Sequence, residues 1–133
     1  TLSEIGQAVE KTLDIIDTVY KKMGISICSI ANLFLSDGNK LVAVRYCFDF
    51  GNYGESVEEW DLSYLSLWYT FGQDYGLHDG EWKMVQGAAN SDSIIVASEP
   101  LTQDSSTWME LPEYSMLMTS AENNLRDLVI KEL

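Results

Sequence analysis

Apolar residues recur every three or four positions through the first two dozen residues of the chain. Leu2, Ile5, Val9, Leu13, Ile16, Tyr20 and Met23 fall on one stripe, the period of an amphipathic helix. Its ends are signalled too. Thr1 or Ser3 supplies an N-cap, and Thr1 with Glu4 has the spacing of a capping box. Lys21 and Lys22 suit the negative end of the helix dipole. Gly24 offers the left-handed conformation that stops a helix.

From Ile25 the pattern changes. Ile25 to Leu35 is β-branched and apolar at both alternating sets of positions, as expected of a strand covered on both faces. Ser36-Asp37-Gly38-Asn39 is a tight-turn signal, and Leu41 to Phe48 is the return strand of an antiparallel hairpin. Residues 49–62 form an acidic loop. "YLSLWYTFG" is a third strand and "QDYGLHDGEW" another loop. "WKMVQ", "SIIVASE" and "EYSMLMTS" supply further strands, and "AENNLRDLVIKEL" closes the chain as a short helix. This order predicts an α+β fold, mostly antiparallel sheet with an N-terminal and a C-terminal helix, and a second sheet packed on the first.

The chain has 133 residues, enough for one domain with one core. No apolar run reaches the roughly 18 to 20 residues of a membrane helix, and the start lacks the basic and apolar regions of a secretory signal. Cys28 and Cys47 lie in apolar runs, where cysteine behaves as a small buried hydrophobe; a reducing, cytoplasmic setting is expected. The net charge of −13 is uneven: between Tyr46 and Leu125 there are fourteen acidic residues and one basic residue, Lys83. Such a surface repels phosphate backbones, so no nucleic-acid partner is expected. It serves solubility, or docks a basic partner.

Candidate chemistry is sparse. His78 is the only histidine, and a serine or cysteine triad would have to use it as base; a lone loop histidine is expected to be plain surface. His and Cys do not cluster at metal-ligand spacing, and Asp74, Asp79 and Glu81 lack the pattern of a calcium loop. No metal or cofactor is expected. Arg45, two residues from Cys47, is the one group placed to lower its pKa. Thr1 leads into a helix, whereas N-terminal threonine nucleophiles open a strand. Ser98 and Glu99 end an apolar strand, with Pro100 turning the chain out of the sheet. Glu99 is expected to be buried and ionised, held by backbone N–H groups or by Arg45.

The stretch "VASEPLTQDSSTWMELPEYSML" and the hairpin "ANLFLSDGNKLVAVRY" resemble the class II, N-terminal nucleophile glutamine amidotransferases. The branch is that of the amidotransferase subunit of the glutathione-degrading complex and the γ-glutamyl-hercynylcysteine sulfoxide hydrolases. "SLWYTFG" resembles that branch's next strand, and the likeness spans about Ile30 to Met118. The resemblance implies a four-layer αββα sandwich, of which residues 1–133 would be the C-terminal half. In that family an N-terminal cysteine attacks a γ-glutamyl amide, an Asn-Gly pair forms the oxyanion hole, and an Arg and an Asp hold the glutamyl group. The chain has no N-terminal Cys and no Asn-Gly pair. The resemblance therefore implies that the catalytic half lies outside the chain and that no residue of it is a nucleophile. Arg45, Ser98 and Glu99 would be structural support behind the site. Expected partners are the missing N-terminal half or a partner subunit, a γ-glutamyl small molecule, or a second copy of the chain. The alternative is a non-enzymatic acidic interaction domain with the same half-fold.

Overall fold

The computed structural model describes residues 1–48, 66–85, 93–121 and 127–133. The acidic loop expected at 49–62 lies outside the described residues. Helix α1 runs Leu2–Met23, with both halves of the Thr1/Glu4 capping box formed. Gly24 ends it at φ 62, its N–H donating to the Lys21 and Tyr20 carbonyls. Although α1 is long, no helix among the described residues is apolar enough to cross a membrane.

Strands β1 (Ser29–Ser36) and β2 (Lys40–Phe48) form the expected hairpin. Asp37 holds its turn, accepting from the Asn39 and Lys40 backbone N–H groups at 2.9 and 2.7 Å. Strands β3 (Trp68–Gly72), β4 (Asp74–His78), β5 (Glu81–Val85), β6 (Ser93–Ala97), β7 (Met109–Glu110), β8 (Ser115–Ser120) and β9 (Asp127–Glu132) follow. They make three antiparallel sheets: β1-β2-β8-β9, β6-β3-β7, and the hairpin β4-β5.

The larger sheet is the middle of three layers. Alternate residues of β2 and β8 point to opposite faces. Val42, Val44, Phe48, Met116 and Met118 pack against Val9 and Leu13 of α1. Ala43 and Leu117 face the other way, onto Leu67, Tyr69 and Leu111, with Phe71, Ile94 and Val96 alongside. The order is therefore helix, sheet, sheet, an α+β architecture of mostly antiparallel strands with one N-terminal helix.

Three expectations are corrected. The C-terminal segment is strand β9 and not a helix: its backbone pairs with the otherwise open edge of β8 from Ser115↔Glu132 to Ser120↔Asp127. Leu133 N–H extends the pairing to the Tyr114 carbonyl at 2.8 Å, and Lys131 pairs with Glu10 of α1. The first strand is not covered on both faces. β1 is an edge, with Ile30, Leu33, Phe34 and Leu35 exposed; the doubly covered strands are the central β2 and β8. Finally, "QDYGLHDGEW" is not a loop but β4 and the start of β5. Asp79 and Gly80 both have positive φ, 54 and 85, as the two central residues of a type I′ hairpin turn require.

Candidate functional site

Arg45 sits on the face of β2 that looks toward the second sheet, with only 7% of its surface exposed. Its guanidinium crosses between the sheets. Nη1 donates to Glu110 Oε1 at 2.9 Å and to the Leu111 carbonyl at 2.5 Å, and Nη2 lies 3.9 Å from Glu113 Oε1. A guanidinium keeps its charge when buried, so it needs such acceptors. The carboxylate that reaches it is that of Glu110, not Glu99.

Asn32 stands directly opposite Arg45 in the β1–β2 register, on the same face. Its Nδ2 donates to the Ser66 carbonyl at 3.0 Å, while its buried Oδ1 has no hydrogen-bond partner. Ser66 Oγ in turn donates to the Ser98 carbonyl at 2.7 Å. Asn32, Arg45, Ser66 and the end of β6 thus form one polar seam where the two sheets meet.

The "ASEPLTQDSSTW" run beyond β6 is organised by its far end. Trp108 is buried, and its indole N–H donates to Thr102 Oγ1 at 3.0 Å. Asp104 caps the 3₁₀ turn Ser105–Thr107 by accepting from Ser106 N–H at 2.9 Å; hydrogen bonding from the Ser106 side chain first, and from this N–H second, holds its carboxyl below the usual carboxylate range. The side chains of Ser98 and Glu99 are exposed. The expectation that Glu99 is buried is corrected: the turn after β6 carries it outward, so it reaches neither Arg45 nor the interior. Of the three supporting residues read from the sequence, Arg45 braces the two sheets, Ser98 contributes its backbone carbonyl, and Glu99 faces solvent.

His78 is half-buried at the end of β4, and its Nε2 comes within 3.0 Å of Asp74 Oδ2 without an aligned hydrogen bond. Nothing in these contacts makes it the base of a triad. Among the described residues no group of three His, Cys, Asp or Glu side chains could hold a metal ion. Cys28 and Cys47, nineteen positions apart, are brought together with their sulfurs 2.9 Å from each other. Sequence reading missed that contact, as it missed Glu110 and Asn32–Ser66. The signals for these lay in strand register, which places Ile30 opposite Cys47 and Asn32 opposite Arg45.

A shallow groove lies where Leu101, Thr102 and Gln103 face Gly80, Glu81 and Trp82. Leu77, Trp82 and Leu101 are exposed around it. No family model, curated protein or solved structure matches the chain.

Proposed function

We propose that this chain is the C-terminal part of a glutamine-amidotransferase-like αββα domain that hydrolyses a γ-glutamyl amide bond. The observation that supports this best is the layer order. The order of a helix, then the sheet carrying the "ANLFLSDGNKLVAVRY" hairpin, then a second sheet with "VASEP" at the end of a strand is one that such a domain would have. The nucleophile in this reading is a cysteine supplied from outside these residues, by the same protein or a partner subunit. Its thiolate attacks the γ-carbonyl carbon, the amine leaves from an oxyanion intermediate, and water hydrolyses the thioester. Arg45 and the Asn32–Ser66–Ser98 seam keep the two sheets in register behind that site and touch no substrate. Glu99 has no part in it.

The intact mass and N-terminal sequence of the native protein test the proposal. A mature chain opening with cysteine upstream of Thr1 supports it. A native protein without such a cysteine, in itself or in a co-purifying subunit, overturns it.

A second reading is favoured by one feature. Exposed Leu77 and Trp82 pair on one face of the β4–β5 hairpin, with Leu101 across the groove and the exposed acids Asp79 and Glu81 at the adjoining turn. An apolar patch edged by acids suits docking of a basic, partly apolar segment. Salt-sensitive binding of such a peptide, lost in Trp82→Ala, would support an interaction module in place of an enzyme.

A further inference from the structure

Cys28 lies just before β1, and Cys47 is the penultimate residue of β2. Their side chains share a face, because Cys28 is two residues before Ile30 and Ile30 pairs with Cys47. The sulfurs are 2.9 Å apart, closer than two unbonded side chains need to be and within reach of a bond of about 2.05 Å by small side-chain rotations. Cys47 is 9% exposed, whereas Cys28 is half-buried and open to a small reagent. One accessible thiol and one buried neighbour are the arrangement of an attacking and a resolving cysteine.

We propose that Cys28 and Cys47 are a modification site, closed to an intramolecular disulfide by exchange with a low-molecular-weight disulfide such as oxidised glutathione. The Cys28 thiolate attacks one sulfur of the reagent, forming a mixed disulfide and expelling one thiolate. The Cys47 thiolate then attacks the Cys28 sulfur, breaking the mixed disulfide and expelling the second thiolate. The two cysteine protons end on the two small thiols. The cysteine pair has lost two electrons and the reagent has gained them. The bond ties the connection after α1 to β2, two residues along the same face from Arg45, and so fastens the open end of the β1–β2 hairpin. This inference does not rest on the proposed hydrolase function.

The test uses the wild-type chain equilibrated with oxidised and reduced glutathione, followed by intact mass, peptide mapping and thermal melting. The expected result is loss of two hydrogens, a linked Cys28–Cys47 peptide, no retained glutathione, and a midpoint raised by about 5 to 10 °C. In Cys47→Ser, glutathione should remain on Cys28 because nothing resolves it; in Cys28→Ser, Cys47 should stay unmodified. Stable glutathionylation of the wild type, a disulfide between two chains, or two unreacted thiols would each overturn the proposal. The wild-type measurement decides even if a variant fails to fold.

Discussion

Arg45 and Glu99 are the two residues whose fates differ most from what their sequence neighbourhoods suggest. Both are charged residues beside apolar strand positions, yet one is buried between sheets and the other faces water. Arg45→Met leaves the Leu111 carbonyl without its donor, which costs about 1 to 3 kcal/mol. Glu110→Gln costs less than about 1 kcal/mol, because that carboxylate is 47% exposed and its ion pair is screened by solvent. Glu99→Gln should lie within about 0.5 kcal/mol of wild type. Denaturant melts of the three variants check the order; Glu99→Gln falling as far as Arg45→Met would put Glu99 back in the interior. Two glycines make a second contrast. A Cβ on Gly72 would stand 2.6 Å from the Val85 backbone oxygen and 2.5 Å from Met84 Cγ, so Gly72→Ala must push β3 and β5 apart, at about 1 to 3 kcal/mol. The atoms nearest a Cβ on Gly6 are side-chain atoms of Met118 and Met116, the closest at 2.7 Å. Methionine yields easily, and alanine is favoured in a helix by about 1 kcal/mol. Gly6→Ala should therefore change stability by less than about 1 kcal/mol.

Among the elements, those with local instructions were legible in the sequence and those decided by a neighbour were not. The cap at Thr1, the stripe from Leu2 to Met23 and the stop at Gly24 all act within a few residues, and α1 forms where they place it. The Asp37–Lys40 turn likewise carries its own hydrogen bonds. The C-terminal segment carries no such instruction. Leu125, Leu128 and Val129 fit a helical stripe, while Leu128-Val129-Ile130 also fits a strand, and the choice is made by the open edge of β8. The β4–β5 hairpin is written in its own pattern, with Asp79-Gly80 between alternating Tyr75, Leu77 and Trp82, Met84. The polar seam was out of reach, because Asn32–Ser66 and Arg45–Glu110 join residues 34 and 65 positions apart. Proline tests the strand assignment of β9. Leu133 N–H points to β8, so by the alternation of an antiparallel ladder Val129 N–H does too and Ile130 N–H points away. Val129→Pro should cost about 1 to 3 kcal/mol more than Ile130→Pro. Equal losses of about 3 kcal/mol would signal a helix.

At the scale of the molecule, the described residues form two cores sharing one sheet, and the stability has a predictable alkaline limit. Burial raises the pKa of Tyr46, Tyr69 and Tyr114 above 10.0. A group whose folded pKa lies above its unfolded value stabilises fully below the unfolded pKa, and that contribution is lost as pH rises through the folded one. Thermal midpoints should therefore fall as pH rises past 10.0, in step with tyrosinate absorbance, and the fall should be shallower in Tyr69→Phe. A midpoint unchanged until all tyrosines have titrated would contradict their burial. The sandwich also carries the functional claim, since a γ-glutamyl hydrolase reading needs the present layers and an external cysteine together. The most direct measurement is glutamate release from a panel of γ-glutamyl amides, comparing the native protein, a Cys→Ala variant at the N-terminal cysteine that the proposal requires, and the 133-residue chain alone. The account predicts release by the native protein only. No release by the native protein, or equal release by the isolated chain, would contradict it.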